Sequence, residues 1–89
     1  MTANHERAVC VLAIAEFRAW KARNANREAF RKFVRAYLRE AGEPFDRDEC
    51  EPEDGATFDR LSADKKTTQH ALALARNATR RAVAKLRHL

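Results

Sequence analysis

The residues least compatible with a helix interior, Gly42, Pro44, Pro52 and Gly55, all fall between positions 42 and 55. Nothing on either side of that stretch has to interrupt a helix. Strand signals are nearly absent, because the valines and the one isoleucine do not alternate with polar residues. The expected fold is therefore all-α: a small bundle of three main helices with an acidic, irregular connection before the last one, forming a single domain over 1–89. A chain of 89 residues buries only roughly 60–65% of its unfolded surface, so a second subunit or a partner often supplies missing burial at this size.

The first helix is expected over about 5–23, with Asn4 as its N-cap and Glu6 suited to the positive helix end. Val9, Leu12, Ala13, Phe17 and Trp20 recur at three- and four-residue spacing and make one apolar face. Val11 and Ile14 point away from it, so Ala8–Ala15 is apolar nearly all round, which calls for cover on both sides. Either this helix is central in the fold or its outer side meets another chain. A homodimer through Val11 and Ile14 is the expectation.

A second apolar face, Phe30, Phe33, Val34, Tyr37, Leu38 and Ala41, defines the second helix over about 26–41. For the junction at 21–27 two readings stand. Asn24 ends one helix and Asn26 caps the next, or one supercoiled helix runs from about His5 to Ala41. The break is favoured, because so long a helix is uncommon in globular chains. Gly42 then stops the helix and Pro44 prevents its resumption. Residues 42–56 form the acidic loop, anchored by Phe45, and 57–61 form a short turn. Ser62 or Asp64 caps a last helix over about 63–87. Its stripe, Leu61, Lys65, Thr68, Leu72, Ala75, Thr79, Ala82 and Leu86 with Val83 alongside, is narrow and close to heptad-spaced, and its small residues imply a close neighbouring helix.

Charge is segregated along the chain: net +5 over 1–41, −7 over 42–64 and +7 over 65–89. Lys66, Arg76, Asn77, Arg80, Arg81, Lys85 and Arg87 fan across the side of the last helix opposite Leu72 and Leu86, which suits phosphates, and Arg and Asn can also reach base edges. Arg27, Arg31, Lys32, Arg35 and Arg39 give the second helix a basic side of its own. The acidic loop competes with this picture, since it can neutralise both faces within one molecule. Residues 70–89 faintly resemble a helix-turn-helix, but no glycine marks a turn at Arg76-Asn77-Ala78, and one uninterrupted helix explains the same letters.

Other chemistries lack their patterns. The loop fails the EF-hand rule, with Cys50 at the fifth ligand position and Glu51 where glycine is required. Cys10, Cys50, His5, His70 and His88 lack the paired short spacings of zinc sites, and no nucleophile with a matching base is identifiable. No cofactor and no enzymatic activity are expected. Two reduced cysteines and an apolar run too short to span a bilayer point to the cytoplasm, with no membrane partner. The functional expectation is a small nucleic-acid-associated regulator that contacts phosphates through the last helix. The alternative is a protein-binding inhibitor or adaptor, of the type encoded by phages and mobile elements, that docks on a larger nucleoprotein machine. It would use the loop residues Asp46, Asp48, Glu49, Glu51, Glu53 and Asp54, or Val11 and Ile14.

Overall fold

A computed structural model describes residues 2–87 as two helices, α1 (Thr2–Ala41) and α2 (Pro52–Arg87), joined by residues 42–51. The helices run antiparallel. Asn26 meets Leu61 and Phe30 meets Phe58, while His5 and Leu12 share a groove with Ala78, Ala82 and Lys85, so pairing descends along α2 as it climbs α1. The result is a rod of 60 × 18 × 16 Å. Forty residues at 1.5 Å rise account for about 60 Å, so the long axis is simply the length of α1.

The expected three-helix bundle is thus corrected to a two-helix hairpin. No break occurs at 24–26, where Asn26 turns its amide across to α2 instead of capping a new helix, and the junction holds no Gly or Pro to end the ladder. Asn4 lies inside α1 rather than capping it. The loop also ends earlier than 56. Pro52 opens α2, a position where its missing N–H costs nothing, so the turn at 57–61 and the caps at Ser62 or Asp64 dissolve into one 36-residue helix. Gly42 does stop α1: its φ is +74°, and its N–H donates to the Leu38 carbonyl at 2.9 Å.

The seam follows a heptad spacing on both helices. On α1, His5, Val9, Leu12, Glu16, Ala19, Arg23, Asn26, Phe30, Phe33 and Tyr37 alternate in steps of four and three, and every one is half-buried. On α2 the series Asp54, Phe58, Leu61, Lys65, Thr68, Leu72, Ala75, Thr79, Ala82 and Leu86 does the same, and only Lys65 is exposed. The stripe read for the last helix is therefore the face that α2 buries. The face read for the first helix splits: Val9 and Leu12 enter the seam, while Ala13, Phe17 and Trp20 stay exposed beside it.

Packing along this seam is uneven. Leu61 and Leu72 are the buried hydrophobic residues of the described chain, at 7% and 4% exposure. Near the loop, Phe45 folds back onto the hairpin and touches Phe33 at 5.2 Å, Tyr37 at 5.0 Å and Phe58 at 4.9 Å, and Phe58 meets Phe30 edge-on at 5.4 Å. Each such ring pair adds about 0.5–1.5 kcal/mol beyond its burial, so the loop end is the better-knit end. Toward the other end the half-buried positions are Ala75, Thr79 and Ala82 on α2 and His5, Val9 and Leu12 on α1, with His5, Leu12 and Ala82 lining one groove. Thr68 and Thr79 satisfy their hydroxyls by donating to carbonyls one turn back on α2, and so need no partner across the seam.

Candidate nucleic-acid interface

In a hairpin the two ends of the rod have different charge. The open half, residues 2–23 with 65–87, carries eleven basic and two acidic residues, a net +9. The loop half, residues 24–64, carries seven basic and eleven acidic residues, a net −4. From Asp54 to Arg80 is 26 residues of continuous helix, about 39 Å. Screening acts within about 8 Å at physiological ionic strength, so the loop cannot neutralise the basic end of its own molecule. On α1 its end, Glu51 and Asp54, shares a groove with Phe33, Ala36, Tyr37, Glu40 and Ala41, while Arg35 and Arg39 at the same level of the rod are exposed.

The structure exposes Lys66, Arg76, Asn77, Arg80, Arg81, Lys85 and Arg87, all on the one uninterrupted helix α2. Their heptad positions spread them over the arc outside the seam. Lys66, Arg76, Arg80 and Arg87 lie on one flank and Asn77 on the back, while Arg81 and Lys85 lie on the other flank, where both line a groove with His5, Ala8 and Leu12 of α1. Continuity of α2 through Arg76–Ala78 leaves no helix-turn-helix. Sequence reasoning missed the contribution of Arg7, Arg18, Lys21 and Arg23 to the same end, because only the hairpin brings the start of α1 beside the end of α2. Arg23 and Arg27 of α1 and Lys65 and Gln69 of α2 also share one shallow groove with Asn26 and Phe30, which extends the basic flank to the middle of the rod.

The acidic residues have local structural work. Asp46 accepts the Asp48 N–H at 3.0 Å in an Asx turn, and Glu53 and Asp54 occupy the first turn of α2, where the helix dipole favours them. Arg47 is the staple that the sequence did not reveal. Its Nε and Nη2 donate to the two Asp59 oxygens at 2.9 and 2.8 Å. This hydrogen bonding holds the Asp59 carboxyl below its ordinary range and raises the guanidinium in turn. Gly55 makes room for it: a Cβ there would sit 3.0 Å from Arg47 Nη1 and 3.3 Å from Cys50 Sγ. Tyr37, beneath the loop, has its phenol pushed up by partial burial, with the Glu43 and Asp54 carboxylates adding to the effect.

On α1, Val11 and Ile14 are 66% and 53% exposed, so the hairpin does not cover the outer side of the Ala8–Ala15 run. Cys10 and Cys50 are both free. Among the described residues no group of three or more His, Cys, Asp or Glu could hold a metal ion, and His88 lies outside those residues. No described helix is long and apolar enough to cross a membrane. Comparison of the chain with protein families, with characterised proteins and with solved structures finds no match.

Proposed function

We propose that the protein is a small, non-catalytic nucleic-acid-associated regulator that contacts phosphates through Arg76, Arg80, Arg81, Lys85 and Arg87 on the basic end of α2. The observation that carries this reading is the separation of charge along the rod. In the +9 half, the Arg76–Arg87 end of α2 lies more than about 30 Å along the helix from the acidic loop and so presents a field that a polyanion can use. Lys66 extends the surface toward the centre of the rod, and Asn77, within it, adds a side chain able to read a base edge.

Five phosphate contacts imply a salt slope of about −4.5 on a log–log plot, an affinity loss of about 500-fold between 50 and 200 mM salt. Fluorescence anisotropy with a generic labelled duplex measures it. Exchanging Arg80 and Arg81 together for alanine should flatten the slope by about 1.8, whereas Arg35→Ala with Arg39→Ala, beside the acidic tip, should leave it unchanged. Equal effects of the two double variants, or none from Arg80/Arg81, would remove the assigned site. The alternative reading, an inhibitor or adaptor that docks on a nucleoprotein machine, draws on a different observation, the exposed apolar side of α1. It predicts a host partner that survives nuclease treatment of the lysate.

A further inference from the structure

Beside its seam, α1 carries a second heptad series, and the hairpin leaves both of its apolar ends exposed. Cys10, Ala13, Phe17, Trp20, Asn24, Arg27, Arg31, Val34, Leu38 and Ala41 alternate in steps of three and four along one flank. Both ends of the series are apolar and its centre is polar. Phe17 and Trp20 stack with centroids 5.9 Å apart, and Phe17, Val34 and Leu38 are 57%, 39% and 48% exposed. Such a stripe is symmetric under reversal of the helix. Set antiparallel against its own copy, with paired residue numbers adding to 51, Phe17 meets the partner's Val34 and Ala13 meets the partner's Leu38. Trp20 then meets the partner's Arg31, and Asn24 meets the partner's Arg27, close to the two-fold axis.

Area and charge select a second copy as the occupant. The hairpin exposes 7065 Å², against about 5,300 Å² for a compact monomer of this mass. The excess of about 1,700 Å² is roughly twice what each partner buries in a standard stable interface. The charge along the rod then sets direction: a parallel pair aligns like ends, whereas an antiparallel pair sets each acidic loop beside the other chain's basic end. The two-fold relation also places both α2 helices on the same side of the α1 pair, giving a splayed four-helix bundle.

We infer that the protein self-associates as an antiparallel homodimer through the Phe17–Trp20 and Val34–Leu38 flank of α1. The inference does not depend on nucleic-acid binding, and its test contains none. In sedimentation equilibrium the full chain should pass from monomer to twice that mass across the micromolar range. Phe17→Ser with Trp20→Ser should hold it at monomer mass, with the helical circular dichroism of the parent at matched concentration. Leu74→Ser, an equally exposed leucine on the back of α2, should leave the dimer intact. Direction is read by oxidation: in a Cys50→Ser background, Ala41→Cys should yield covalent dimers through Cys10, and the background alone should not. A monomer at every concentration overturns the inference and leaves the stripe to a different protein. A dimer that survives the double serine variant, or one that oxidises readily through Cys10 alone, overturns the interface or its antiparallel direction.

Discussion

Arg47 shows how much of the loop depends on one side chain. Because the folded-state value of Asp59 is depressed, the pair contributes stability above the unfolded carboxylate value and loses it as pH falls through the folded value. Arg47→Ala should therefore raise the Asp59 value in an NMR titration and remove that part of the acid dependence; an unmoved Asp59 would mean that the ion pair is not formed in solution. Gly55 is coupled to the same group. A helix-interior Gly→Ala exchange is worth about 1 kcal/mol, but in the parent the new methyl has to displace the guanidinium. The gain should be full in an Arg47→Ala background and smaller in the parent, a non-additivity that a denaturation cycle measures. Gly42 and Gly55 also differ in what a reader of the letters can see. Gly42 follows an apolar helical pattern and precedes Pro44, so its role as a stop is local and legible. Gly55 is there for a side chain eight positions earlier, and no local pattern announces that.

At the scale of the elements, the buried stripe of α2 was legible because its apolar and small residues occupy a single heptad series. On α1 two such series lie side by side, and at three- and four-residue spacing their members mingle. That is why Phe17 and Trp20 read as core, and why the polar stretch at 21–27 read as a break rather than as the polar middle of both stripes. Asn26 sits in that middle and donates to the Leu61 carbonyl at 3.1 Å. A polar residue at a seam position fixes register at a cost in stability. Asn26→Leu should therefore raise the thermal midpoint while NMR reports more than one pairing of the helices; a single set of amide signals would show that register is fixed elsewhere. The aromatic cluster makes the opposite prediction. Phe58 touches Phe30 and Phe45, and Phe58→Ala should cost about 2–3 kcal/mol, below the 3–5 typical of a fully buried ring because this one is half-buried.

For the whole molecule, the segregation of charge was visible in the letters, but its meaning depended on topology. In a bundle the acidic loop would lie against both basic faces, whereas in a hairpin it is carried to the far end. Self-association restores the encounter between molecules, since the partner's loop comes to lie beside the flank of Arg76 and Arg80. The two proposals are then linked with a definite sign: polyanion and partner loop compete for the same cations, so each weakens the other by the same factor. The Phe17→Ser/Trp20→Ser variant should bind duplex more tightly than the parent at concentrations where the parent is dimeric, and added duplex should lower the parent's average mass less its bound nucleic acid. Duplex that strengthens the dimer would reverse the sign and place the phosphates across both chains.

The uneven seam also makes the rod behave as a pair of tongs. Its pivot is the ring cluster of Phe30, Phe33, Tyr37, Phe45 and Phe58, and its tips are the half-buried small residues Ala75, Thr79 and Ala82 together with the start of α1. Opening should begin at the tips and travel toward the pivot, so amide hydrogens exchange fastest near residues 5–12 and 79–86 and slowest near 30–37 and 58–61. The jaws that part most readily are the ones that carry the positive charge.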